Sequence, residues 1–188
     1  LLWLIYFFGL PRPLFLYVLG HELTHAFFVL LCGGKISEFK VKSGGGHIVT
    51  NKNNVLISLS PYFIPFYSVI LIALFGITGI FVDNLFEYHP NVLFWGKIGF
   101  SWSWILYMSV GITWCFHLTF TSWMITKNQP DLKQNGTFFS LVFIYFINLM
   151  ILSITLILVS NEISLTGFVE SLLNNGSKLI NQASRILR

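Results

Sequence analysis

The stretch that decides the fold reads YVLGHELTHAFFVLL, Tyr17 to Leu31. Two histidines and a glutamate stand in the middle of an otherwise apolar helix. An ionisable side chain at such a depth costs several kcal/mol unless it is compensated. His21 and His25 are four apart, so on a helix they are neighbours, with Cβ atoms about 5–6 Å from each other. That spacing lets two imidazole nitrogens reach one zinc ion at about 2.0–2.1 Å. Glu22 falls on the adjacent face, where it reaches a water on the same metal. Zinc brings the pKa of that water to about 7, and a carboxylate takes its proton and later hands it to a leaving amine. The pattern H-E-x-x-H therefore carries two ligands and a base, and a zinc ion is the compensation the buried glutamate needs.

The surrounding chain is that of a membrane protein. Of 188 residues, 55% are hydrophobic and only 10% charged, with 20 Phe, seven Tyr and six Trp; about 25% charged is usual for soluble domains. The mean hydropathy is +0.74. The net charge of +4 comes from basic residues scattered in loops and the tail. They form no aromatic-interleaved basic face, so nucleic acid is not an expected partner. Cys32 and Cys115 lie in apolar segments without a C-x-x-C pattern and read as buried free thiols.

Leu1–Leu10 is too short to span alone, since a spanning helix needs about 20 residues. It lacks a basic leader and a small-residue cleavage site, and reads as membrane-embedded structure. Pro11-Arg12-Pro13 breaks the chain. Leu14–Leu31 is the first clear span, ended by Gly33-Gly34. Ile36, Phe39 and Val41, then Ile48 and Val49, predict two short strands joined across Ser43-Gly44-Gly45-Gly46. A second span runs from Val55 to Val82, kinked by Pro61 and Pro65. Asp83–Pro90 is an acidic loop. Asn91–Ile125 is one long helix or a short interfacial piece followed by a span, with Trp95, Trp102, Trp104 and Trp123 suited to interfacial belts. Thr137–Val159 is the last span. The expected fold is an all-α polytopic membrane protein of about four to five transmembrane helices, with a short β-hairpin after the H-E-x-x-H helix. Residues 1–160 form its membrane-embedded core. Residues 161–188 form an amphipathic interfacial tail, interrupted around Asn174-Asn175-Gly176. The basic hairpin (Lys35, Lys40, Lys42, Lys52) and the Lys127/Lys133 loop fall on one side under single crossings, which the positive-inside rule makes cytoplasmic.

Two histidines leave a tetrahedral zinc one protein ligand short. The residues open to that role are Asp131, His117, His47, His89, Glu87, Glu38 and Glu162. Asp131, in QPDLKQNG just ahead of the last span, lies on the side toward which the first span points, and a last span starting at membrane depth would bring it to the metal. His117, inside the third span, stands beside the site or makes a helix–helix hydrogen bond.

Three segments together, GHELTHAFFVLLCGGKISEFKVKSGGG, NNVLISLSPYFIPF and QPDLKQNG, resemble the site-2 protease family of intramembrane zinc metalloproteases. The likeness covers about residues 14–150. It implies that Asp131 is the third zinc ligand, although Leu132 follows it where the family usually shows glycine. It implies an endopeptidase that hydrolyses a membrane-spanning protein partner, often releasing a factor from its anchor. It also implies that the hairpin, through Gly44, Gly45, Gly46 and His47, meets the substrate as an added strand. The expected location is a prokaryotic inner or cell membrane, multi-pass in the lipid bilayer, with the site toward the cytoplasmic side. Oligomeric state does not follow from the sequence. The rival reading is a metal-binding membrane scaffold or transporter without proteolytic activity. Five histidines are too few for a di-iron desaturase, and neither Glu87 nor Glu162 sits in the context that a glutamate-ligated membrane protease needs.

Overall fold

A computed structural model describes residues 2–82, 102–159 and 164–186. The chain divides into two compact units, Leu1–Ile144 and Tyr145–Arg188. The first holds α1 (Leu2–Gly9), α2 (Leu14–Leu31), the strands β1 (Ile36–Lys42) and β2 (Gly45–Thr50), α3 (Val55–Phe63), α4 (Phe66–Phe81), α5 (Trp102–Ile125), the short α6 (Pro130–Gln134) and the start of α7 (Thr137–Val159). The second holds the rest of α7 and α8 (Leu165–Ile186).

Helix α2 starts after the Pro11-Arg12-Pro13 break and ends where glycine permits it. Gly33 adopts φ +74°, Gly33 N–H donates to the Leu30 carbonyl and Gly34 N–H to the Val29 carbonyl. This is the two-bond αL termination that satisfies the last free carbonyls of a helix. The chain then enters the hairpin. Lys42 pairs with Gly45 and Ile36 with Thr50, with an irregularity between Ile36 and Glu38. The turn is only Ser43-Gly44. Gly45 and Gly46, expected in the turn, belong to β2.

Asn54 caps α3 by accepting the Ile57 N–H at 2.8 Å. Every residue of α3 from Ile57 to Phe63 is buried. Pro65 breaks the segment as expected, and α3 and α4 meet at a bend of 76°. Helix α4 is tied to α5 by a Ser68–Thr113 hydroxyl contact of 2.8 Å. A hydrophobic core of Phe7, Tyr17, Val18 and Phe120 joins α1, α2 and α5, with Tyr17 stacked on Phe120 at 4.9 Å.

Among the described residues, Leu14–Leu31 and Thr137–Ile157 are long and apolar enough to cross a membrane, and the bent α3–α4 pair makes a third if it is one span. Large apolar side chains face outward along these segments, as at Ile80, Phe81 and Phe138, which is the surface a lipid solvent requires. Asp83, Glu87, His89, Trp95 and Glu162 lie outside the described residues. The tail departs from expectation: α8 runs without interruption through Asn174-Asn175-Gly176.

Candidate metal centre

The site is built on the middle of α2. His21, Glu22 and His25 face the interior of the first unit, and Glu22 is only 6% exposed. Each imidazole is held by its Nδ1, which leaves Nε2 for a ligand. His25 Nδ1 lies 2.8 Å from the Ile57 carbonyl oxygen of α3, and His21 Nδ1 lies 3.2 Å from the Tyr17 hydroxyl one turn earlier. Such outer bonds are what orient metal-ligating histidines.

Asp131 comes from far along the chain. It lies just ahead of the last span, in the first turn of the separate helix α6, with Pro130 at the first position. A five-residue helix is not self-supporting, and side chains fix it in place. Leu132 is buried at 2% exposure. Asn135 Nδ2 donates to Ser58 Oγ at 2.6 Å and to the Asp131 carbonyl at 3.2 Å. Asn53 Nδ2 donates to Gln134 Oε1 at 3.0 Å. Gly136, at φ +85°, then turns the chain into α7. Leu132, next to the aspartate, is thus an apolar anchor, and the turn is made at Gly136.

The result is that Asp131 Oδ2 lies 3.6 Å from His21 Nε2 and 3.6 Å from His25 Nε2. The Tyr62 hydroxyl donates to the same oxygen at 3.0 Å. The three ligand atoms all fall within 4.8 Å of one another. Ligands about 2.0–2.2 Å from a tetrahedral ion stand roughly 3.3–3.5 Å apart, so the two Asp131 distances are close to what zinc asks for, and two imidazoles with a carboxylate are a donor set that suits it. Burial pushes the Asp131 carboxyl up, but the two imidazoles facing it outweigh that and hold it well below the usual carboxylate range. It is therefore charged, as a ligand must be.

A cavity of about 360 Å³ opens over this centre. His21, Glu22, His25 and Asp131 line it, together with Gly44, Gly45, Gly46 and His47 of the hairpin. The hairpin lies directly against Glu22: a Cβ on Gly46 would lie 2.6 Å from Glu22 Cγ and 2.9 Å from the Lys40 carbonyl. His47 borders the cavity from an exposed position and pairs at 3.7 Å with Glu38, which also pairs with Lys40. Neither His47 nor Glu38 belongs to the ligand cluster. His117 is buried in α5 with its ring against Trp114, and lines a separate cavity of about 20 Å³ that Tyr17 and His21 also border. It stands beside the centre and outside the ligand set.

Sequence reasoning missed Tyr17, Tyr62, Ser58 and Asn135. Tyr17 was open to discovery, because it lies four residues before His21. The other three act across helices and leave no local pattern.

The chain matches no family model, no curated protein and no solved structure.

Proposed function

We propose that this protein is a zinc-dependent intramembrane endopeptidase acting on membrane-anchored protein substrates. One observation carries the reading. Asp131 is brought to 3.6 Å from both imidazoles of H-E-x-x-H, in a cavity that also holds Glu22. His21, His25 and Asp131 would hold the ion, and Tyr62 orients the carboxylate. When bound, zinc supplies an acidified water and polarises the scissile carbonyl. Glu22 takes the proton of the attacking water and passes it to the leaving amine nitrogen.

The hairpin supports the same reading. A helical substrate hides its peptide bonds in its own hydrogen bonds, whereas a segment paired to a strand edge presents them. Strand β2 borders the cavity beside Glu22. Gly46 has no side chain there, and a substrate backbone can approach the base closely only at such a place. The polytopic arrangement of four to five crossings belongs to this proposal. It is supported by α5, whose 24 residues reach about 36 Å. The four lysines of the hairpin and its base, Lys35, Lys40, Lys42 and Lys52, favour a cytoplasmic orientation of the site.

The test uses the purified full chain and a panel of single-span reporter proteins co-expressed in a bacterial membrane. About one zinc per chain is expected, with cleavage of at least one reporter. Glu22→Gln keeps the zinc and stops the cleavage. Equal cleavage by Glu22→Gln refutes the protease reading. Zinc retained in full by Asp131→Ala refutes the ligand set.

A further inference from the structure

The Pro11-Arg12-Pro13 break, which plays no part in the metal centre, lies against the C-terminal end of α5. The Arg12 guanidinium sits between two rings, 4.7 Å from the centre of Phe7 and 4.8 Å from that of Trp123. Its Nε is buried with no hydrogen-bond partner. Lys127 Nζ lies 5.2 Å over the same Trp123 ring. Among the described residues, neither cation is paired with a carboxylate. A charged donor withdrawn from water and left without a partner is costly, and among the described residues Arg12 has no anionic counter-group.

The space beside them shows what kind of group that is. An open groove of about 420 Å³ between α1 and α5 is lined by Arg12, Phe7, Phe8, Leu118, Ser122 and Trp123, with Lys127 outside the lining, over the Trp123 ring. Its walls are mainly apolar, and Phe8 is 77% exposed. The groove lies where α5 gives way to the polar turn after Ile125, the level at which Trp, Arg and Lys collect at a membrane surface. Basic pockets between helices at that level suit lipid headgroups.

We propose that this groove binds an acidic diacyl phospholipid. The headgroup phosphate accepts from Arg12 and faces Lys127, and one acyl chain lies along Phe7, Phe8 and Leu118. A zwitterionic lipid fits less well, because it sets its own cation against two others. Inorganic phosphate meets the cations but leaves the apolar walls bare.

The test is thermal unfolding of the full chain in a mild non-ionic detergent, titrated with phosphatidylglycerol, phosphatidylcholine or inorganic phosphate. Phosphatidylglycerol raises Tm by several degrees, and the other two do so by less than half as much. Arg12→Gln removes most of the phosphatidylglycerol shift, and Lys127→Gln reduces it. Ser122→Phe, which fills the exposed rim of the groove, also reduces it and serves if Arg12→Gln fails to fold. An equal shift with phosphatidylcholine, a full shift with inorganic phosphate, or an undiminished shift in both Lys127→Gln and Ser122→Phe overturns the proposal. The readout is independent of zinc and of cleavage, so it stands or falls separately from the protease reading.

Discussion

His25 donates its Nδ1–H to the carbonyl oxygen of Ile57 at 2.8 Å, and that carbonyl is available because the residue four positions on is Pro61. In a regular helix the Ile57 carbonyl would accept from the amide of residue 61. Proline has no amide hydrogen. Pro61 thus leaves a backbone acceptor of α3 to an imidazole on the neighbouring helix, and Ser60 Oγ shares it at 3.1 Å.

Pro61→Ala supplies the missing amide and makes it compete for Ile57. Zinc affinity, read by competition with a chelator, is expected to fall about 10-fold, in line with the loss of an outer-shell partner. Unchanged affinity with an unchanged far-UV spectrum would show that the His25–Ile57 bond does not tune the ligand.

Tyr62→Phe removes the hydroxyl donated to Asp131 at 3.0 Å and keeps the ring. A hydrogen bond to a charged group is worth about 1.5–3 kcal/mol. A fall in zinc affinity of roughly 10-fold or more is the expected result, with the protein still folded. Tyr17→Phe acts in the same direction through His21.

The glycines of the hairpin separate into two classes. A Cβ at Gly46 meets Glu22 and the Lys40 carbonyl, whereas one at Gly44 meets nothing within 4 Å. Gly46→Ala is expected to lower stability by about 1–3 kcal/mol and to abolish cleavage by displacing Glu22. Gly44→Ala leaves both close to wild type. Denaturation curves and reporter cleavage, measured on the two variants side by side, decide it.

Chelation should cost stability. A ligand that binds only the folded state at 100 times its Kd contributes about 2.7 kcal/mol. Removing zinc with a chelator therefore lowers Tm, and returning zinc restores it. Asp131→Ala and His21→Ala start low and respond to neither treatment. An identical Tm with and without zinc in the wild type contradicts a three-ligand site.

The parts of this fold that could be read from sequence are those fixed by neighbours along the chain. The pairing of His21 with His25, the glycine end of α2, the hairpin and the kink near Pro65 all follow from spacing within one turn or one loop. The tail misled for a physical reason. Asn174-Asn175-Gly176 is a weak helix former, but Leu172, Leu173, Leu179 and Ile180 keep one apolar stripe across it, and the stripe prevails. Asp131 was legible as a candidate and not as a geometry. Its support comes from Ser58, Tyr62 and Asn53, residues that only a folded chain puts beside it. His117 shows the opposite case: a buried histidine in the right neighbourhood that serves a different cavity.

The helix that carries Asp131 also dates the birth of the site. His21, Glu22 and His25 leave the ribosome together on one helix, ahead of everything else that the site needs. Asp131 arrives only after α5 has been made, and it is held by contacts to α3 rather than by its own short helix. A nascent chain therefore carries an incomplete centre until α6 has docked against α3, and the hydrolysis that we propose for it has to wait for that step.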